Sequence, residues 1–70
     1  MPYVNVKITK EDTTREQKQE IVSAITELLE RVLGKNPKTT FVIIEEVDCD
    51  NWAIEGRLVR LVSDIRRCKN

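Results

Sequence analysis

Near the amino terminus apolar and polar residues alternate one by one: Val4, Val6 and Ile8 are separated by Asn5, Lys7 and Thr9. A period of two marks a strand with one buried face, because successive side chains point to opposite sides of the pleat. Pro2-Tyr3 leads into it, and Lys10-Glu11-Asp12 ends the alternation. Thr13-Thr14-Arg15-Glu16 then fits a capping box, with the Thr13 hydroxyl accepting from the Glu16 N–H while the Glu16 carboxylate reaches back. Beyond it the period changes. Ile21, Val22, Ile25, Leu28, Leu29, Val32 and Leu33 recur in steps of one and three, laying a single stripe along one helix face. Gly34 suits a left-handed helix end and Asn36-Pro37 stops continuation, so the helix is predicted over Thr14 to Leu33.

Thr39-Thr40-Phe41-Val42-Ile43-Ile44 is β-branched and aromatic without a break, the pattern of an inner strand covered on both faces. Strand, helix and strand in that order predict a right-handed β-α-β crossover with parallel strands, hence an α/β fold. The helix covers one sheet face, and the chain has no second helix of that size for the other. The open face is therefore the expected interface. Asp48-Cys49-Asp50-Asn51 reads as a loop, and Trp52-Ala53-Ile54-Glu55-Gly56 as a short extended or hairpin segment. Leu58, Leu61, Val62 and Ile65 recur at helical spacing and predict a short C-terminal helix. Without repeats or linkers, residues 1–70 form one domain.

A 70-residue chain with 40% hydrophobic content buries a modest core, which favours association with partner chains. Other supports are lacking: there is no histidine, and Cys49 and Cys68 match neither a zinc-ligand spacing nor a disulfide framework, so no metal or cofactor is expected. Twelve basic residues balance twelve acidic ones and only three side chains are aromatic, which argues against nucleic acid as a partner. The one basic run, Arg66-Arg67-Cys68-Lys69, reads as a solvated tail. No apolar run approaches the ~20 residues needed to cross a bilayer and no secretory segment follows Met1, so a cytoplasmic location with reduced thiols is expected.

The candidate chemistry sits at Pro2. Removal of Met1 would turn this residue into a free secondary amine, whereas an internal proline has no basic nitrogen. An α-amino group titrates near pH ~7.7–8.0 in model peptides, and apolar or cationic surroundings lower that value toward the range where general bases work best.

Pro2 opening a strand, Glu16-Gln17-Lys18 at the helix start, the Phe41-to-Glu46 strand and Asp50-Asn51-Trp52-Ala53-Ile54-Glu55-Gly56 together resemble the 4-oxalocrotonate tautomerase family. The resemblance spans Pro2 to about Gly56. It implies a β-α-β tautomerase subunit with parallel strands, a short hairpin and a C-terminal segment, paired into dimers that assemble as a hexamer. It also implies an isomerase of small unsaturated 2-oxo or 2-hydroxy acids, with Pro2 as the general base of keto-enol proton transfer. Trp52 takes the place of an aromatic residue in the family's apolar pocket. Two arginines that handle substrate oxygens in the best-known members are replaced, the matching stretches holding Asp12 and Phe41. Such work needs a cation with paired donors. Lys10 and Arg57, with Arg15 as a third choice, are the candidate replacements, and Phe41 joins Trp52 among the candidate substrate-binding positions. Glu55 also interrupts the family's paired glycines. The missing arginines leave an alternative open: a non-catalytic or half-catalytic subunit of a hetero-oligomer, completed by a related chain.

Overall fold

The computed structural model describes residues 1–61. In chain order these form β1 (Tyr3–Thr9), α1 (Arg15–Leu33), β2 (Phe41–Val47), β3 (Ala53–Ile54) and β4 (Arg57–Leu58). Single 3-10 turns occupy Pro37–Thr39, Cys49–Asn51 and Val59–Leu61.

β1 and β2 pair in parallel, as a β-α-β chain requires. One register runs through the ladder. The Phe41 N–H donates to the Pro2 carbonyl at 3.0 Å at its start, and the Lys10 N–H donates to the Val47 carbonyl at 3.0 Å at its end. That register sets Tyr3 beside Phe41, Asn5 beside Ile43, Lys7 beside Glu45 and Thr9 beside Val47.

The chain gathers into two compact units. The first holds Met1–Val6 and Thr14–Ile44, and so contains α1. Here Val4, Val6, Val42 and Ile44 on one sheet face are half-buried, as are Ile21, Val22, Ile25 and Leu29 on the helix stripe. The opposite sheet face is open: Tyr3 is 61% exposed, Phe41 52% and Ile43 45%. A strand expected to be covered on both sides is thus covered on one within the single chain.

The helix boundaries follow from its caps. Thr14 is the N-cap, with its hydroxyl accepting from the Gln17 N–H at 3.1 Å while the Gln17 side chain accepts from the Thr14 N–H at 2.9 Å. This corrects the Thr13 and Glu16 assignment by one residue. Both pairs satisfy the same spacing, and side-chain pattern alone does not choose between them. At the other end Gly34 adopts φ 66°, and its N–H donates to the Glu30 carbonyl at 2.9 Å. The expected left-handed stop is present. Asn36 then accepts from the Lys38 N–H at 2.9 Å and starts a turn that takes up Thr39, so β2 begins at Phe41.

The second unit holds Lys7–Thr13 and residues from 45 onward. Its centre is Cys49 and Val59, at 0% and 2% exposure. β3 and β4 form an antiparallel hairpin with Ala53 opposite Leu58 and Ile54 opposite Arg57. Its two connecting residues have positive φ, 52° at Glu55 and 79° at Gly56, the signature of a type I′ turn. Leu58 is therefore drawn into a strand and Leu61 into a 3-10 turn, in place of the expected C-terminal helix; Val62 and Ile65 lie outside the described residues. Cys49 corrects a second expectation, being disulfide-bonded and not a reduced thiol. A disulfide depends on a Cα separation of about 4.4–6.8 Å, which residue spacing does not encode. Cys68, the other cysteine, lies outside the described residues.

Candidate active site

Pro2 precedes β1 and is half-buried. Its carbonyl is fixed by the Phe41 N–H at 3.0 Å, so the strand ladder holds this residue from its carboxyl side. The ring nitrogen makes no demand on the ladder, since proline has no N–H to donate. Phe41 is exposed on the open face beside Tyr3.

The second unit contains a cavity of about 340 Å³. Lys7, Ile8 and Thr9 from the end of β1, and Glu11 just beyond it, form one wall; Trp52, Ile54 and Val59 form the other. Such a volume lies at the small end of the ~300–1,000 Å³ range of ligand sites. Four of the lining residues are apolar and three are polar or charged.

Each wall has a local reason for its place. The Trp52 carbonyl accepts from the Val59 N–H at 2.7 Å, tying the residue before β3 to the buried residue after β4. The preceding turn is held by Arg60, whose Nε donates to Asp50 Oδ1 at 2.5 Å and whose Nη2 donates to Asp48 Oδ1 at 3.1 Å. Both contacts are surface ion pairs, individually worth about 0.2–1 kcal/mol. On the facing wall, Lys7 Nζ donates to Glu45 Oε1 at 2.5 Å and the Thr9 hydroxyl donates to Glu11 Oε2. The Lys7 and Glu45 pairing follows from the sheet register, which sets them side by side.

Of the residues nominated from sequence, Trp52 lines this cavity. Lys10 and Arg57 are exposed and are not among the residues lining it. Arg15 and Phe41 belong to the first unit, as does Pro2. Lys7 and Glu11 also line the cavity, although each has an ordinary local reading in the sequence, one as the outward member of an alternating strand and the other as part of a charged loop. The charge pair between Lys7 and Glu45 is revealed only by the strand register. Asp12 has φ 63°, a left-handed conformation that aspartate adopts more readily than most residues other than glycine.

Similarity to known proteins agrees with the fold. A family model for tautomerase enzymes matches residues 2–61. The chain is 54% identical over 59 residues to Probable tautomerase K2 of Dickeya dadantii, covering 84% of this chain and 88% of that protein. The crystal structure of YwhB, a homologue of 4-oxalocrotonate tautomerase, superposes with a TM-score of 0.81 at 34% identity, covering 87% of this chain and 98% of that one.

The chain belongs to the 4-oxalocrotonate tautomerase family.

Tautomerases are isomerases, and this one shares their parallel β-α-β arrangement with a C-terminal hairpin. The tautomerase is also 39% identical over 57 residues to the 2-hydroxymuconate tautomerase of Bacillus subtilis, covering 81% of this chain and 90% of that protein. Among the described residues of this tautomerase, no helix is long and apolar enough to cross a membrane.

Proposed function

We propose that this tautomerase interconverts the enol and keto forms of a small unsaturated 2-oxo or 2-hydroxy acid, with Pro2 as the general base after removal of Met1. The observation that carries this reading is the position of Pro2: the family match begins at this residue, and its carbonyl is anchored by the Phe41 N–H. Anchoring through the carbonyl leaves the nitrogen available for proton transfer. The free amine takes a proton from the enol hydroxyl or from the carbon α to the carbonyl, and delivers it elsewhere along the conjugated system. A cation beside the substrate oxygens stabilises the enolate that develops.

A second copy of this chain, or a related chain, covers the open face of Tyr3, Phe41 and Ile43, giving a dimer or hexamer. Three large exposed apolar side chains on one sheet face support this reading. The substrate is the only other partner invoked.

The test is intact-mass measurement of the purified protein together with ketonisation of a simple enol acid by the parent and by Pro2→Ala. Met1 should be absent and the variant should lose at least about 100-fold in rate, the contribution of a positioned general base. Retained Met1, or a variant as active as the parent, overturns the role of Pro2.

A further inference from the structure

We infer that Cys49 and Cys68 form a redox-controlled staple, which when oxidised holds the β3–β4 hairpin closed and when reduced lets it open while α1 stays folded. The staple is independent of the proposed proton-transfer chemistry.

Cys49 is disulfide-bonded and no cysteine of the chain is free. The sequence holds one other cysteine, Cys68, so the bond closes a loop over residues 49–68. That loop contains Trp52, both strands of the hairpin and Val59. Among the described residues the buried apolar side chains are Cys49 and Val59 alone, and both belong to the second unit. The hairpin adds little to them: each strand is two residues long, and Ala53, Ile54, Arg57 and Leu58 are all exposed. An isolated two-stranded hairpin is marginal in water. The ion pairs of Arg60 with Asp48 and Asp50 are partly exposed and contribute weakly. One backbone bond, from the Val59 N–H to the Trp52 carbonyl, closes the base of the hairpin. A unit with so small a core is the kind that a disulfide stabilises, by restricting the opened chain and thereby favouring the closed one. The anchor at Cys49 is itself fixed, since the Asp48 side chain accepts from the Asp50 N–H at 3.0 Å and the Asp48 carbonyl accepts from the Asn51 N–H at 2.8 Å. The first unit is held differently, by the caps and apolar stripe of α1, and contains neither cysteine. The family match ends at residue 61, so Cys68 lies outside the part of the chain that it describes and the staple is an addition to that framework. Opening it takes two electrons. A dithiol attacks one sulfur to give a mixed disulfide, its second thiol displaces the other sulfur, and its two protons end on the protein thiols as it leaves as a cyclic disulfide. Oxidising surroundings keep the bond, and reducing thiol pools open it.

The test compares the parent protein equilibrated with oxidised glutathione against the same protein reduced with dithiothreitol. Denatured and treated with iodoacetamide, the oxidised form should take up no label and run as a single chain on a non-reducing gel. The reduced form should be labelled at both Cys49 and Cys68. Amide hydrogen exchange of the native protein then reads the staple locally. On reduction the Val59 amide should exchange about 100-fold faster, the effect on an opening equilibrium of a disulfide that closes a loop of this length. Amides in the middle of α1 should stay within about threefold, because they open with a different unit. Cys68→Ser leaves the buried Cys49 in place and should match the reduced parent with or without dithiothreitol. Label entering the oxidised form, two chains joined by the bond, or Val59 exchange unchanged on reduction each overturns the inference. So does α1 exchange accelerated as much as that of Val59, or a Cys68→Ser variant protected like the oxidised parent.

Discussion

The hairpin that carries Ile54 into the cavity depends on two residues in the left-handed region, and substitutions there should have opposite signs. Gly56 has φ 79°, and no atom lies within 4 Å of where a Cβ would stand. Gly56→Ala therefore meets no steric obstacle, and its cost is conformational. Holding an L-residue in the left-handed region costs about 1–2 kcal/mol. Alanine also restricts the unfolded chain, which returns about 0.4–1 kcal/mol. The net loss should be about 0.5–1 kcal/mol. Glu55 has φ 52° and already bears such a penalty, at a turn position that favours asparagine, aspartate or glycine. Glu55→Asn should therefore stabilise by about 0.5–1 kcal/mol. In a domain of this size each kcal/mol moves the melting temperature by about 4–8 °C. Thermal unfolding followed by circular dichroism resolves both shifts, provided protein concentration is fixed, since association also raises apparent stability. Gly34→Ala is the control: at φ 66°, again with no atom within 4 Å of the added Cβ, it should cost a similar amount. A loss above about 3 kcal/mol in Gly56→Ala would refute the reasoning by revealing a packing contact. A Glu55→Asn variant no more stable than the parent would refute the turn assignment.

Two further outcomes follow from the caps and the open face. Thr14→Ala should lower stability by about 1 kcal/mol in denaturant titration, while Thr13→Ala stays within about 0.5 kcal/mol; the reverse order would restore the earlier capping pair. Ile43→Glu should weaken self-association by at least about 100-fold, because burying an apolar side chain of this size contributes about 1.5–3 kcal/mol and a two-fold interface loses it twice. Sedimentation velocity reads the change, and an unchanged assembly would exclude this face as the interface.

The sequence by itself determined β1, α1 and β2 and their order. Alternation at Val4, Val6 and Ile8, the stripe from Ile21 to Leu33, the stop at Gly34 and the apolar run into Ile44 are local signals, set by side-chain direction within one element. The strand-helix-strand order implied parallel pairing, and the resemblance carried by Pro2, Glu16-Gln17-Lys18, the Phe41-to-Glu46 strand and the Asp50-to-Gly56 segment pointed to the family. Local signals fell short wherever two neighbours offered the same chemistry, as Thr13 and Thr14 did at the helix start. They also fell short where a turn redirected the chain, as Glu55-Gly56 did in placing Leu58 in a strand. What only the tertiary structure decided is which residues from distant segments share a wall. Lys7 reads as a solvent-facing strand residue until the register sets it beside Glu45 and the fold brings it to the same cavity as Trp52. Lys10 and Arg57, which looked better placed along the chain, stay outside that cavity. Cys49 likewise gave no sign of its disulfide. Register, cavity lining and disulfide pairing are distances between residues far apart in sequence, and no periodicity within one element encodes them.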